Sequence, residues 1–263
     1  MKRYFKTSIV IVMLLTLLSS FSALMYSAQP PTGKTGATGV YCTQCHTNNP
    51  LNTGGGNVSV TGLPQTYTAG ASYNFAVNIT HGVADRKRWG FEITAINSNG
   101  QVVGTFLSAN PNAALIGTSK ELGHLNAVIT PSQQSFTYDN LTWNAPINPG
   151  VADATVTFYF ASNAANGPQG ASTGDFIYAS TKVISLAVVY TFTGNGNWDD
   201  PANWSNNAIP PAVLDAVSSI VIDPPADGEC VLNVVQHVGS KVNFKVNDGK
   251  KLRILGDLII NNP

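Results

Sequence analysis

The chain has 263 residues, and its 14 Lys and Arg balance its 14 Asp and Glu. This length allows one large domain or two modest ones. The charge shows no basic patch, which argues against nucleic acid as a partner. Charged residues make up only 11% of the chain while glycine occurs 24 times, a composition typical of an extracellular β-protein with many turns.

Residues 1–28 predict a secretion signal peptide. Lys2, Arg3 and Lys6 precede an apolar run at residues 9–18, and small residues follow. The run is too short to span a bilayer comfortably, which favours cleavage over anchoring. Cleavage would leave 11 Lys and Arg against 14 Asp and Glu, a net charge near −3, and would remove all three methionines. We therefore expect a soluble exported protein that is periplasmic, at the cell surface or extracellular, and does not span the membrane after cleavage.

The next segment, residues 29–56, is called the lead-in segment and shows little apolar periodicity. It contains Cys42-Thr43-Gln44-Cys45-His46, the Cys-x-x-Cys-His pattern that attaches a c-type haem. The two thiols can add to the haem vinyl groups, and the adjacent imidazole then lies under the iron. The alternatives are a disulfide between Cys42 and Cys45, or half of a zinc site. The motif predicts one covalent haem c per chain, with His46 as the proximal iron ligand.

Residues 57–189 alternate apolar and polar positions in short runs that are separated by Gly, Pro and Asn turns. The pattern lacks an amphipathic helix and predicts an all-β fold, an antiparallel Ig-like β-sandwich. A turn at residues 97–100 predicts that the third and fourth strands form a hairpin. The predicted strands are 58–60, 72–79, 89–96, 101–107, 127–129, 136–143, 154–161 and 181–189.

Residues 190–263 form a separate pattern of short strands at nearly regular spacing, which predicts a small β-solenoid-like module. Trp198 and Trp204 could form a carbohydrate-binding platform or cap the first turn of the solenoid. An exposed last rung would invite pairing, so a homo-oligomer through this C-terminal module is a further hypothesis. Cys230 would be a free thiol, either buried as a small hydrophobe or paired between chains.

The composition of the chain limits which residues could be the second axial ligand of the iron. Because cleavage removes every methionine, a His/Met pair is excluded in the mature chain, which leaves His81, His124, His237, a lysine amine or an open position. We favour His124, which lies in a predicted loop between strands, and place His81 second. Bis-histidine iron suits single-electron transfer to a redox partner protein or to neighbouring copies of the chain.

No enzyme activity is expected, since the carboxylates are scattered along the chain and it has no His-Glu-x-x-His pattern. The leading functional hypothesis is therefore an exported monohaem c-type cytochrome-like protein. The alternative is a structural or adhesive surface protein without haem, in which Cys42 and Cys45 form a disulfide and the sandwich binds a partner or a glycan.

Several ordered motifs in the sandwich region resemble the reelin-type (Reeler) β-sandwich. They include Gly90-Phe91-Glu92-Ile93-Thr94-Ala95, Gly104-Thr105-Phe106, Trp143-Asn144-Ala145-Pro146 and Val156-Thr157-Phe158-Tyr159. The sequence is more closely similar to the bacterial "choice-of-anchor V" version of exported Bacteroidetes-like proteins. Members commonly carry Thr-Gly-Ala before the haem motif, as at residues 35–37, and tend to carry a His in the loop of His124.

The resemblance covers about residues 30–189. It implies a fold and an exported location but supplies no reaction. Residues from 190 onward resemble a β-repeat module found at the C-terminal side of exported Bacteroidetes proteins.

Overall fold

The computed structural model describes residues 28–117, 121–167, 173–214 and 218–261, so the predicted signal peptide lies outside the described residues except for Ala28. The chain divides into two compact units. The first comprises Met1–Gln65 and Ala69–Ile184, and the second comprises Thr66–Thr68 and Ser185–Pro263. This division falls a few residues before the boundary predicted at 189. Within the described ranges, no helix is both long and apolar enough to cross a bilayer.

Eleven strands are described between Val58 and Leu186. They are β1 Val58–Thr61, β2 Thr66–Tyr67, β3 Ser72–Thr80, β4 Arg86–Asn97, β5 Thr105–Ser108, β6 Ala113–Ile116, β7 Glu121–His124, β8 Val128–Gln133, β9 Ser135–Asn144, β10 Thr155–Ala165 and β11 Phe176–Leu186. Short 3-10 helices occur at Cys42–Gln44 and Val151–Ala154.

These strands form two sheets. A four-stranded sheet has the order β1-β3-β9-β5, and a seven-stranded sheet has the order β2-β11-β10-β4-β7-β6, with β8 also paired to β4. Seven of the pairings are antiparallel, and β2 runs parallel to β11. Along β3 the residues Phe75, Val77 and Ile79 are buried while their neighbours are more exposed, the period of two expected for a strand with one face in a core. The predicted all-β sandwich is confirmed.

Aromatic side chains fill the space between the two sheets. Trp143 of β9 and Phe158 of β10 meet edge to face with ring centroids 5.1 Å apart, and Phe91 of β4 lies 4.5 Å from Tyr138 of β9. The Tyr138 hydroxyl donates to the Trp89 carbonyl at 2.7 Å, so its polar end is paired inside the core. Such edge-to-face pairs contribute roughly 0.5–1.5 kcal/mol beyond the burial of their surface.

The hairpin predicted at residues 97–100 forms only in part. The Val103 amide still donates to the Ala95 carbonyl at 2.9 Å, but the next residue, Gly104, has φ +71° and turns the chain into the other sheet. A Cβ on Gly104 would lie 2.4 Å from Trp143 Nε1, so only glycine fits there. The prediction of one strand over 101–107 beside β4 is therefore wrong, because β5 pairs with β9.

The second unit is a parallel β-solenoid, which confirms the predicted class of the C-terminal module. Its three sheets have the orders β12-β15-β18, β13-β16-β19 and β14-β17-β20, so equivalent strands stack over three rungs. The strands are β12 Val188–Phe192, β13 Gly196–Asn197, β14 Val213–Leu214, β15 Ser218–Ile222, β16 Cys230–Leu232, β17 Val235–Val238, β18 Val242–Val246, β19 Leu252–Ile254 and β20 Asp257–Ile260. Two 3-10 helices, Pro201–Asn203 and Ser205–Asn207, lie in the first rung.

The two tryptophans of the solenoid belong to its core. Trp198 and Trp204 are 1% and 2% exposed, and their rings meet edge to face at 4.6 Å. The suggestion of a carbohydrate-binding platform is therefore wrong, since neither ring is available to a sugar. Cys230 is buried in the same cluster, and burial raises the pKa of its thiol to about 12. Of its two predicted roles, the small buried hydrophobe is the one observed.

Candidate functional site

The lead-in segment is held on the outer face of the seven-stranded sheet. Gln29 Nε2 donates to the carbonyl of Leu115 in β6 at 3.3 Å, and Pro30 packs closely on Gly123 of β7. Further along, the Gly33 amide bonds to carboxylates from β4 and β7. The segment thus crosses the sheet strand by strand, which places the haem motif above β10 and β11.

The motif itself is a single tight turn. The Cys45 and His46 amides both donate to the Cys42 carbonyl at 3.1 Å, around the 3-10 helix Cys42–Gln44. Cys45 is exposed and Cys42 is half-buried, and both are free thiols. The Cys42 thiol donates to the Lys34 carbonyl at 3.8 Å. Burial, and secondarily the charge of Glu92, raise the pKa of Cys42 to about 12, which keeps this thiol protonated at neutral pH.

The imidazole of His46 is fixed by two side chains of the sandwich. Its Nδ1 lies 2.8 Å from Asp175 Oδ2, and the Asp175 side chain is only 1% exposed. Asn163 Nδ2 donates to the same carboxylate oxygen at 3.2 Å and lies 3.4 and 3.5 Å from the two ring nitrogens of His46. If the Nδ1 proton is donated to Asp175, the lone pair of His46 is on Nε2, where the Asn163 amide is its neighbour at 3.5 Å.

His124 lies at the end of strand β7 and is buried. The prediction that it projects freely from a loop is wrong, because β7 pairs with β4 and β6 there and its ring packs against Gly90. A Cβ on Gly90 would lie 3.0 Å from His124 Cε1 and Nδ1, so the missing side chain makes room for the imidazole. Burial is the main cause that lowers the pKa of His124 to about 4, and the nearby charge of His46 lowers it further.

The hydrogen bonding of His124 permits either neutral tautomer. The Phe91 amide can donate to its Nδ1 at 3.2 Å; alternatively, Nδ1–H can donate to the Phe91 carbonyl at 3.3 Å. In the second tautomer the Nε2 lone pair is available to a metal. A buried, neutral imidazole is the form that binds iron.

His81, the second choice for the distal ligand, has both nitrogens engaged. Its Nδ1 lies 2.5 Å from the Tyr178 hydroxyl, its Nε2 lies 3.8 Å from Asp85 Oδ1, and its ring packs at 4.6 Å on Phe176. Burial, followed by the Arg86 charge, lowers the pKa of His81. These contacts are more typical of a core histidine with both ring nitrogens paired than of a free metal ligand.

The structure brings the two favoured histidines to one place on the sheet. Gly90 of β4 and Asn163 of β10 are direct register partners. His124 packs on Gly90, while His46 contacts Asn163. His237, by contrast, belongs to the second unit. Residues that are 78 positions apart in the sequence therefore converge on a single pair of opposed strand positions.

A pair of buried carboxyl groups, Glu92 and Glu121, also lies under the lead-in segment. Glu92 Oε1 accepts from the Gly33 amide at 2.8 Å, Glu121 Oε2 accepts from the same amide at 3.0 Å, and Glu92 Oε2 accepts from the Lys34 amide at 3.2 Å. Burial, then the charge of Glu121 and the hydrogen bond between the two side chains, raise the pKa of Glu92 to about 8. Glu92 thus keeps its proton at neutral pH and can donate it in a hydrogen bond to Glu121.

Sequence reasoning missed this pair and Asp175. Glu92 stands at an alternating position of β4 that a half-buried strand would expose to solvent, and nothing in the pattern shows that the lead-in segment covers it. Asp175 lies in the Gly-Asp-Phe-Ile-Tyr stretch at residues 174–178, and its contact with His46 depends on the fold. Across the ranges that the structure describes, no group of three or more His, Cys, Asp and Glu side chains is arranged to hold a metal ion.

No protein-family model matches the chain, and no curated protein matches it. Among solved structures it is similar to a reeler domain of human F-spondin, with 16% identity and a TM-score of 0.35, over 52% of this chain and 94% of that one. The Reelin-N domain of F-spondin is 16% identical with a TM-score of 0.35, and the match covers 55% of this chain and 96% of that one. A cohesin module of a Clostridium perfringens family 33 glycoside hydrolase is 11% identical with a TM-score of 0.35, and the match covers 51% of this chain and 98% of that one.

Proposed function

We propose that the protein is an exported monohaem c-type cytochrome-like electron carrier. Cys42 and Cys45 would hold the haem covalently, with His46 as the proximal and His124 as the distal iron ligand. The observation that carries the proposal is the convergence of the motif turn and His124 on Gly90 and Asn163. A random Cys-x-x-Cys-His occurrence would not require a second, buried and neutral imidazole beside it.

The residues present fit a c-type haem chemically. Two free thiols lie on one turn, and two imidazoles each have a tautomer with the lone pair on Nε2. When bound, the haem supplies a one-electron Fe(III)/Fe(II) couple. The chain's own residues orient the imidazoles and keep His124 neutral. If His46 and His124 both held the iron, no iron position would be left for a substrate, which supports electron transfer and no enzymatic role.

The proposed electron partners are a redox protein or neighbouring copies of the chain. Assembly would proceed through the third rung of the solenoid, which exposes apolar side chains. Ile254 is 48% and Ile260 is 60% exposed, although their register partners Leu232 and Val238 in the rung before are buried. A rung added by another copy would cover these positions and the strand edges beside them.

The visible spectrum of the purified protein tests the proposal. We expect Soret and α bands that persist after denaturation and acid-acetone extraction, because thioether bonds survive both treatments. The variant His124→Ala should change a six-coordinate low-spin spectrum to a high-spin one. His81→Ala is the matched control and should keep the low-spin spectrum; the reverse pattern would assign the distal position to His81.

The second candidate is a structural or adhesive surface protein in which Cys42 and Cys45 form a disulfide. The outer face of the four-stranded sheet favours it, because uncharged side chains there form a hydrogen-bonded network suited to a glycan. The Thr142 hydroxyl donates to Asn74 Oδ1 at 2.9 Å, and Thr137 donates to Asn78 Oδ1 at 3.0 Å. A colourless protein with a titratable disulfide would select this candidate over the cytochrome.

A further inference from the structure

We propose that Asp175 sets the electron-donor strength of His46 toward the iron and thereby holds the haem at a low reduction potential. Asp175 is a positioning residue, because it acts through the imidazole and not on the iron. This inference rests on the proposed function and extends it to the regulation of the same site.

The geometry of the pair is that of a carboxylate partner of a metal-binding histidine. Asp175 Oδ2 lies 2.8 Å from His46 Nδ1, and the carboxylate is almost completely buried. Its other oxygen, Oδ1, has no hydrogen-bond partner in the described part of the chain. A buried carboxylate that is incompletely paired carries a cost in free energy, since its charge is poorly solvated. The proton of the imidazole is its main compensation.

The carboxylate cannot easily turn away from His46. Asn49 Nδ2 donates to the Asp175 carbonyl at 2.9 Å. On the preceding residue, the buried Arg86 donates through Nη1 to the Gly174 carbonyl at 2.7 Å. These two bonds hold the backbone on both sides of the Asp175 Cα. Asn163 Nδ2 donates to the carboxylate itself at 3.2 Å and keeps it directed at His46.

The chemical consequence follows from charge. A carboxylate that accepts the Nδ1 proton fixes the tautomer, leaves Nε2 as the metal-binding nitrogen and makes the imidazole a stronger donor. A stronger donor stabilises Fe(III) more than Fe(II), because the ferric ion carries the larger charge. The midpoint potential is therefore lower than it would be with a neutral partner at Nδ1.

A purely structural role for Asp175 would be to attach the lead-in segment to the sandwich. Asn49 distinguishes the two roles, because its side chain also attaches the segment to Asp175 but bonds to the backbone carbonyl and not to the imidazole. Removing Asn49 should weaken the attachment without changing the partner of His46. Removing the charge of Asp175 by substitution with Asn should replace the carboxylate beside His46 with a neutral group of almost the same shape.

The test compares Asp175→Asn with Asn49→Ala in the haem-loaded full chain by spectroelectrochemistry. Loss of a carboxylate partner typically changes metal affinity about 10- to 100-fold. If only the affinity for Fe(III) is weakened, the reduction potential rises by roughly 60–120 mV for one electron. We expect this rise in Asp175→Asn and an unchanged potential in Asn49→Ala. Equal potentials in wild type and Asp175→Asn, or equal shifts in both variants, would overturn the inference while leaving the cytochrome assignment intact.

A measurement on the haem-free wild type covers the case in which Asp175→Asn does not fold. The 15N shifts of the His46 ring should show the proton on Nδ1, with the downfield proton resonance of a hydrogen bond to a carboxylate. A His46 ring protonated on Nε2 would overturn the inference. A wild-type protein that never binds haem would overturn the proposed function and this inference together, and the absence of a Soret band identifies that outcome.

Discussion

The free energy of unfolding of the wild-type protein should fall as the pH rises from acidic to neutral values. Replacement of Glu92 by Gln should abolish this fall. Glu92 is fully buried in β4, and its pKa is raised from 4.5 to about 8. A glutamine has almost the same shape as a protonated glutamate. Its Oε1 can still accept from the Gly33 amide, and its Nε2 can donate to Glu121 as the protonated acid does. Glu92→Gln therefore imitates the native, protonated state at every pH.

The direction follows from proton counting. Between pH 4.5 and pH 8 the unfolded chain has released the Glu92 proton while the folded chain retains it, so the free energy of unfolding falls as the pH rises. Below pH 4.5 both states are protonated, and above pH 8 both are ionised, so the effect is flat outside this window. At 1.36 kcal/mol per pH unit, one proton retained from pH 5 to pH 8 is worth roughly 3–4 kcal/mol. Glu92→Gln should be close to the wild type at pH 5 and more stable by this amount at pH 8.

Urea denaturation at pH 5 and pH 8, followed by tryptophan fluorescence, measures the difference. Glu229→Gln is the matched control, because Glu229 is 39% exposed in the second unit and pairs with Arg253 on the surface. Hydrogen exchange provides a local measure, since the Gly33 and Lys34 amides bond to the Glu92 carboxyl. Parallel pH dependences of wild type and Glu92→Gln would refute the assignment of a retained proton to Glu92.

Two further predictions concern the proposed haem ligand His124 and the solenoid. Gly90→Ala should displace the His124 ring, because the new Cβ would lie 3.0 Å from it, and should give a high-spin component in the visible spectrum; an unaltered spectrum would contradict His124 as the distal ligand. Light scattering should show association that increases with protein concentration and is abolished by Ile260→Lys on the exposed third rung. A monodisperse monomer at high concentration would argue against assembly through that rung.

The architecture was predictable where a local pattern decides the structure. The strand β3 alternates buried and exposed residues as its sequence does, and the stacked strands of the solenoid follow from short apolar runs at regular spacing. The sheet switch at Gly104 was not predictable from alternation, because the residues on both sides continue the same pattern. Its cause is the approach of Trp143, which belongs to a strand far away in the sequence.

The candidate site shows the same division. The Cys-x-x-Cys-His motif is local and was found from the sequence, and the exclusion of methionine as a ligand follows from composition only if the predicted signal peptide is cleaved. His124 was selected on the assumption of an exposed loop, whereas its strand position and its burial against Gly90 are consequences of packing. Asp175 lies 129 residues from His46. A contact of that separation leaves no periodic signal, so only the fold reveals it.

The anchoring of the lead-in segment changes the expected relation between cofactor and fold. A segment with so little apolar content would be expected to need the haem for its order. The sandwich instead holds it from two directions, through the carboxyls of Glu92 and Glu121 at Gly33 and through Asp175 at His46. If the proposed haem binds, an imidazole that is already held in place would lose little conformational entropy on binding. Ionisation of Glu92 is opposed by burial and by the charge of Glu121, although the Gly33 and Lys34 amides favour the carboxylate. Raising the pH toward 8 should therefore destabilise the fold around Glu92 and loosen the start of the segment.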